Sequence, residues 1–253
     1  MITSTANTRV RLARALQTQP RARRREGRVA LEGLRLVRDA LTSGHQPDYL
    51  LYTPGSAEID ALAATSAADA LAVSASVMRH ISDTQQPQGI VGVFPTPAAP
   101  LPARPARALV LDALRDPGNL GTILRAAAAA GVDAVLLAPG CVDPFNPKVL
   151  RAGMGAHFRL PLAERPWAGI AAYCAALTVY LADARASLRH DQADWARPWA
   201  LIVGGEAGGA GREAAGLAQA RVAIPMAGAT ESLNAAVAAA VVLFEARRQA
   251  GWP

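Results

Sequence analysis

Three clusters of small polar and charged side chains, each set where an apolar stretch ends, carry the chemistry this sequence offers. The first reads Asp112-Ala-Leu-Arg-Asp-Pro-Gly-Asn-Leu-Gly-Thr-Ile-Leu-Arg125. Asp116-Pro117-Gly118 is turn chemistry, and Asn119 offers an oxygen to cap the helix that carries Arg125. One reading makes Arg125 a surface residue. Leu124 and Ala126 to Ala130 argue instead for a buried helix, in which an unpaired guanidinium is costly and an anionic partner is expected. The second cluster, Leu201-Ile-Val-Gly-Gly-Glu-Ala-Gly-Gly-Ala-Gly211, lets backbone approach a ligand closely and sets a single carboxylate, Glu206, among glycines. The third, VAIPMAGATESLNAAVAAAVVLFEARR from Val222, joins a strand, a loop and a long apolar helix. Thr230, Ser232 or Asn234 can cap that helix, so the loop is either a plain capped connection or a site.

Two further stretches bear on the choice of chemistry. Asn146 to Pro161 adds Lys148, Arg151 and Arg159 to a glycine-broken helix, with His157 either packed or capping. Gly209-Ala-Gly-Arg-Glu-Ala214 fits a dinucleotide fingerprint, with Glu231 twenty residues after Gly211. Only about forty residues follow it, too few for the two halves of a dinucleotide site, which demotes a nicotinamide enzyme to a minor alternative.

The elements that must position these residues are legible in the hydrophobic pattern. Apolar strands at 108–112, 134–138, 177–182, 199–204 and 221–225 alternate with helices near 120–130, 146–153, 167–175, 210–218 and 233–250. That alternation predicts a mostly parallel sheet covered on both faces, with ligands at the carboxyl ends of its strands. Residues 1–94 form a smaller α/β pattern: helix at 8–19, strands at 29–33, 49–52, 71–73 and 89–94, and helices at 34–43, 57–68 and 75–81. Five prolines between Pro95 and Pro105 read as an extended linker over 95–106, leaving 107–253 as the second domain.

Charge is uneven. Ten arginines oppose two glutamates in the first 38 residues, a net of +8 within a chain of +6, so the remainder is −2. The chain has a single lysine, Lys148, and guanidinium forks suit phosphate oxygens and stacking on bases. Arg23, Arg24, Arg25 and Arg28, joined by Arg151, are the expected nucleic-acid contacts; a merely solvated face is the alternative. Cys141 and Cys174 are too few and too far apart for a disulfide framework and fit a reducing cytosol. The four histidines have no ligand spacing, so no metal is expected. No apolar run reaches the roughly 18 residues of a membrane span.

Taken in order, DALRDPGNLGTILRAAAAAG, LIVGGEAGGAG and IPMAGATESLNAAVAAAVVLFEARRQ resemble the three motifs of the SpoU (TrmH) branch of the SPOUT RNA methyltransferases. NPKVLRAGMGAHFRLPL is similar to its connecting element, and the likeness covers residues 107–250. More loosely, ALEGLRLVRDAL with PQGIVGVF resembles the family's ribosomal-protein-like substrate-binding domain. The resemblance implies an α/β sheet threaded into a trefoil knot, a homodimer, S-adenosylmethionine as cofactor and 2′-O-ribose methylation of structured RNA, while the cysteines carry the expectation of a cytoplasmic protein. Ribosomal RNA is favoured over transfer RNA, and a catalytically silent RNA-binding or assembly factor is the other alternative. It further implies that Gly204, Gly205, Ile224, Met226 and Leu233 meet the cofactor. Asn119, Arg125, Glu206, Ser232 and Asn234 form the catalytic, ribose-facing set. Ala235 and Ala236 stand where the family usually has Val-Ser, and Ala207 where glycine is common.

Overall fold

The computed structural model describes residues 1–205, 209–228 and 230–251. The chain divides into two units, 1–97 with 145–158, and 98–144 with 159–253. In the first unit the order is α1 (Thr8–Thr18), α2 (Pro20–Glu26), β1 (Arg28–Glu32), α3 (Leu34–Thr42), β2 (Tyr49–Tyr52), α4 (Ala57–Thr65), β3 (Asp69–Ala72), α5 (Ala75–Ile81) and β4 (Ile90–Pro95). Helix α2 was not expected from the basic run alone. Proline at its first position costs no hydrogen bond, and Gly27 at φ 59° ends it.

The four-stranded sheet runs β1-β4-β2-β3, antiparallel except for the β2–β3 pair. Alternating side chains feed two cores, because successive residues of a strand face opposite ways. Ala30, Tyr49 and Leu51 join Val10, Leu16 and Val77 on one side, while Val29, Leu31 and Leu50 join Val37 and Phe94 on the other. Each fully buried leucine contributes about 1.5–3 kcal/mol relative to exposure.

The second unit begins with β5 (Arg107–Asp112), α6 (Pro117–Ala130) and β6 (Ala134–Leu137). The chain then supplies α7 (Pro147–Gly153) to the first unit, where Leu150 is buried and Phe145 and Phe158 pack against the Val29–Phe94 core. This differs from the expectation of one continuous domain over 107–253. The reason is apolar: those three side chains complete the core of the N-terminal sheet. The second unit continues with β7 (Leu162–Glu164), α8 (Trp167–Tyr173), β8 (Thr178–Ala182), β9 (Leu188–Arg189), β10 (Trp199–Gly204), α9 (Arg212–Leu217), β11 (Ala220–Ala223) and α10 (Ala235–Gln249).

Among the described residues these strands form a seven-stranded sheet, β7-β6-β5-β10-β8-β11-β9, with every pairing parallel. Strands β7 and β9, of three and two residues, were too short to register as periods. Ile170 of α8 and Ala214 of α9 close over Val110, Val179 and Ile202. Helices α6 and α10 pack on each other, and α10 also packs on β10. Both faces are thereby covered, as near-continuous apolar strands require. The proline stretch is not a free tether along its whole length. Leu101 packs on the core of the second unit, and the Tyr173 hydroxyl donates to the Pro102 carbonyl at 2.9 Å. No described helix is long and apolar enough to cross a membrane.

Candidate functional site

The three polar clusters meet at the carboxyl ends of β5, β10 and β11. Strand β5 ends at Asp112, and Ala113 adopts φ 52°, a left-handed conformation that turns the chain sharply away from the sheet. The side chain of Asp116, not Asn119, caps α6: its Oδ1 accepts from the Asn119 amide at 2.7 Å. The expected cap is corrected by one helical detail. Pro117 occupies the first helical position, which puts Asn119 inside the first turn with its side chain released for other work.

That work is a contact with the third cluster. Asn234 Nδ2 donates to Asn119 Oδ1 at 3.0 Å. Of the three cap options for α10, Asn234 is the one used, its Oδ1 accepting from the Ala236 and Val237 amides at 2.9 and 3.3 Å. A single amide side chain therefore both starts α10 and ties it to α6. Ser232 is exposed beside it.

Arg125 is exposed on α6, whose buried side chains are Leu120, Ile123, Leu124, Ala127 and Ala130. The expectation of a helix buried all round is corrected: the alanines are small enough to sit half-exposed, and they leave the arginine facing outward. It has no ion-pair partner among the described residues.

The glycine loop leaves β10 at Gly204, in register with Asp112. A Cβ on Gly204 would lie 2.6 Å from the Ala210 nitrogen, and one on Gly205 2.6 Å from the Ala113 carbonyl oxygen. Neither neighbour is a flexible side-chain end, so close backbone approach is what demands glycine here. Gly205 and Gly209 bridge each other, with the Gly209 amide 3.1 Å from the Gly205 carbonyl. Glu206 lies outside the described residues.

The glycine loop and the third cluster, with the ends of β8 and β11, line an open cleft of about 1110 Å³. All five residues expected to meet a cofactor, Gly204, Gly205, Ile224, Met226 and Leu233, are on its wall, together with Ser232 and Asn234. One side of it has no counterpart among the three sequence clusters. Asp183 and Arg185, just beyond β8, line the cleft with Arg221 of β11. Arg221 Nη1 lies 2.9 Å from Asp183 Oδ2, and the Arg185 amide donates to Asp183 Oδ1 at 3.0 Å. The Arg185 amide first, then the Arg221 guanidinium, hold the Asp183 carboxyl below its ordinary range. Nothing in the local sequence marks this pair, because it depends on β8 and β11 being neighbours.

The arginines of the first unit separate into distinct roles. Arg23 is only 4% exposed, and its Nη1 donates to the Leu16 carbonyl at 2.6 Å, satisfying an orphan acceptor at the end of α1. Its expected part in RNA contact is corrected accordingly: it is a structural cation. Arg25 pairs with Glu26 at 2.7 Å, Arg28 with Asp48, and Arg151 with Asp83 at 3.2 Å. Arg24 is exposed, as are Arg11, Arg21 and Arg35, and none of the four has an ion-pair partner among the described residues.

A parallel α/β sheet whose strand ends gather a glycine loop and an asparagine-capped helix, carried with a small arginine-rich unit, defines a two-part enzyme of the RNA-modifying class. The chain belongs to the SpoU rRNA Methylase family, whose model matches residues 106–244, and an MRM3-like substrate binding domain matches residues 7–92.

Its relatives include the mitochondrial rRNA methyltransferase 3 of Homo sapiens, 35% identical over 90% of this chain and 69% of that protein. The 23S rRNA (guanosine(2553)-2′-O)-methyltransferase RlmP of Bacillus subtilis is 38% identical over 66% of this chain and 68% of its own. Among solved structures, the SpoU methyltransferase AviRb from Streptomyces viridochromogenes, in complex with AdoMet, superposes with a TM-score of 0.88. It is 28% identical, and the match covers 96% of this chain and 98% of that one.

Proposed function

We propose that this chain is an S-adenosylmethionine-dependent methyltransferase that modifies ribose 2′-hydroxyls in structured ribosomal RNA. The observation that carries the reading is the joining of Asn119 to Asn234 at the edge of a cleft walled by Gly204, Gly205, Ile224, Met226 and Leu233. At about 1110 Å³ the cleft is slightly above the roughly 300–1,000 Å³ usual for small-molecule sites, and its mixed lining of apolar side chains with polar and charged groups suits a nucleoside joined to a methionine tail. When bound, S-adenosylmethionine supplies an electrophilic sulfonium methyl, so little activation of the electrophile is asked of the protein.

The chain's own residues then have to orient a weak nucleophile and accommodate its developing charge. Ser232 and Asn234 offer polar groups beside the cleft for the ribose, and Asn119 holds Asn234. Arg125 is a permanently charged fork, suited to grip the target phosphate and stabilise alkoxide rather than to accept a proton. Glu206 completes the assignment as the loop's carboxylate. Lodged in the first unit, the exposed Arg11, Arg21, Arg24 and Arg35 act as the clamp on RNA.

Likeness to the solved SpoU enzymes supports a trefoil knot in the second unit. A homodimer through α10 is supported by its outward stripe: Val237, Val241 and Phe244 are 50%, 36% and 40% exposed at helical spacing. The two cysteines, both free thiols, fit a reducing compartment such as the cytoplasm.

Incubating the protein with ribosomal RNA and radiolabelled S-adenosylmethionine, then mapping 2′-O-methyl positions, tests the reading. Label in ribose of ribosomal RNA supports it. Label confined to transfer RNA would redirect the substrate, and absent cofactor binding by calorimetry would favour a silent assembly factor.

A further inference from the structure

The cofactor cleft depends on a residue that does not line it. We propose that Asp112 is a positioning residue, acting on the cofactor through the glycine loop. Asp112 closes β5 and is only 5% exposed, although the strand before it is wholly apolar from Ala108 to Leu111. A carboxylate at such a position is costly to desolvate unless strong hydrogen bonds offset the loss. Among the described residues its side chain makes a long-range one: Oδ2 accepts from the Gly211 amide at 2.6 Å, across 99 residues.

Asp112 touches the segment at both ends. Its backbone is in register with Gly204, where the loop leaves β10, and its side chain holds Gly211, where α9 begins. Next to Gly204, Gly205 lies against the same turn, since a Cβ on it would stand 2.6 Å from the Ala113 carbonyl oxygen. Gly211 is close as well, though less tightly, its Cβ position being 3.3 Å from Asp112 Oδ2. Four residues of the clamped segment, Gly204, Gly205, Gly209 and Ala210, line the cleft, whereas Asp112 does not. The carboxylate thus sets the path of backbone that forms one cleft wall, and links the first motif to the second in the way Asn119 and Asn234 link the first to the third.

This inference rests on reading the cleft as the cofactor's, and a separate variant tests that reading. Leu233→Arg should abolish S-adenosylmethionine binding by calorimetry; unimpaired binding there overturns the cleft reading whatever Asp112 does. For Asp112 itself, Asp112→Ala in the full chain should weaken cofactor affinity on the order of ten- to a hundred-fold and lower kcat while KM for RNA stays unchanged. Asp112→Asn keeps an acceptor oxygen and should restore most of that affinity. Cofactor affinity within about two-fold of wild type in Asp112→Ala, or an equal loss in both variants, overturns the proposal. Hydrogen exchange on the wild-type protein keeps it testable should the alanine variant not fold. The Gly211 amide should be protected, and its protection should rise when S-adenosylmethionine is added; no rise overturns the proposal.

Discussion

Asn234 donates its side-chain amide to the Asn119 side-chain carbonyl at 3.0 Å, joining residues 115 positions apart. The same Asn234 caps α10 with its other side-chain atom. Removing it should therefore release the start of α10 as well as the link. Asn234→Ala loses a cap worth about 1 kcal/mol together with the link, whereas Asn119→Ala leaves that cap in place. A double-mutant cycle on urea stability should return a coupling of about 0.5–1.5 kcal/mol. A coupling of zero would mean that the two motifs are held together by other contacts.

Arg125 is predicted to act in turnover and not in cofactor binding. Arg125→Lys should keep the charge but lose the planar fork, reducing kcat by about ten-fold or more with unchanged calorimetric affinity for S-adenosylmethionine. Near-full turnover in the lysine variant would remove Arg125 from the role given to it.

Two adjacent arginines should behave in opposite ways. Arg23→Ala should destabilise the protein by about 1.5–3 kcal/mol, because its charge-assisted bond to Leu16 closes α1. Arg24→Ala should leave stability within about 0.5 kcal/mol of wild type and lower the slope of RNA affinity against salt by about one. A salt slope that responds to Arg23 and not to Arg24 would reverse the assignment.

The outward stripe on α10 predicts assembly through that helix. Val241→Asp should yield a monomer by light scattering, since a charge buried in an apolar seam costs several kcal/mol. A variant that stays dimeric would move the interface elsewhere.

Asp183 supplies a pH test with a definite sign. Its carboxyl is held below the ordinary value by the Arg185 amide and Arg221, so the folded state favours the ionised form. The stabilisation is therefore present above the unfolded value of about 3.9 and is lost as pH falls through the lower folded value. Asp183→Asn should lower the melting temperature at pH 7, and the difference from wild type should shrink as pH falls below the unfolded carboxylate value. A difference independent of pH would mean that the arginine contacts contribute nothing through charge.

Much of this protein is present in local sequence. Apolar alternation and proline and glycine punctuation give the parallel α/β unit, the smaller N-terminal sheet and the order of the three clusters, since strand and helix periods are properties of neighbouring residues. Glycine at 204 and 205 is legible as close backbone approach even without knowing what is approached. The charge imbalance marks the arginine-rich unit.

What local sequence could not decide is which residue meets which. Arg23 and Arg24 are indistinguishable in a basic run, and only the packing of α1 against α2 buries one and exposes the other. Asn119 and Asp116 are both good caps, and the start of α6 at Pro117 selects Asp116. Phe145, Leu150 and Phe158 read as part of the second unit until the N-terminal core claims them. The contacts of Asp112 with Gly211, Asn119 with Asn234 and Asp183 with Arg221 each cross a strand order that chain order does not contain. Residue type is a local quantity and fixes which interactions are chemically available; partnership is decided only when the sheet sets β5, β10, β8 and β11 side by side.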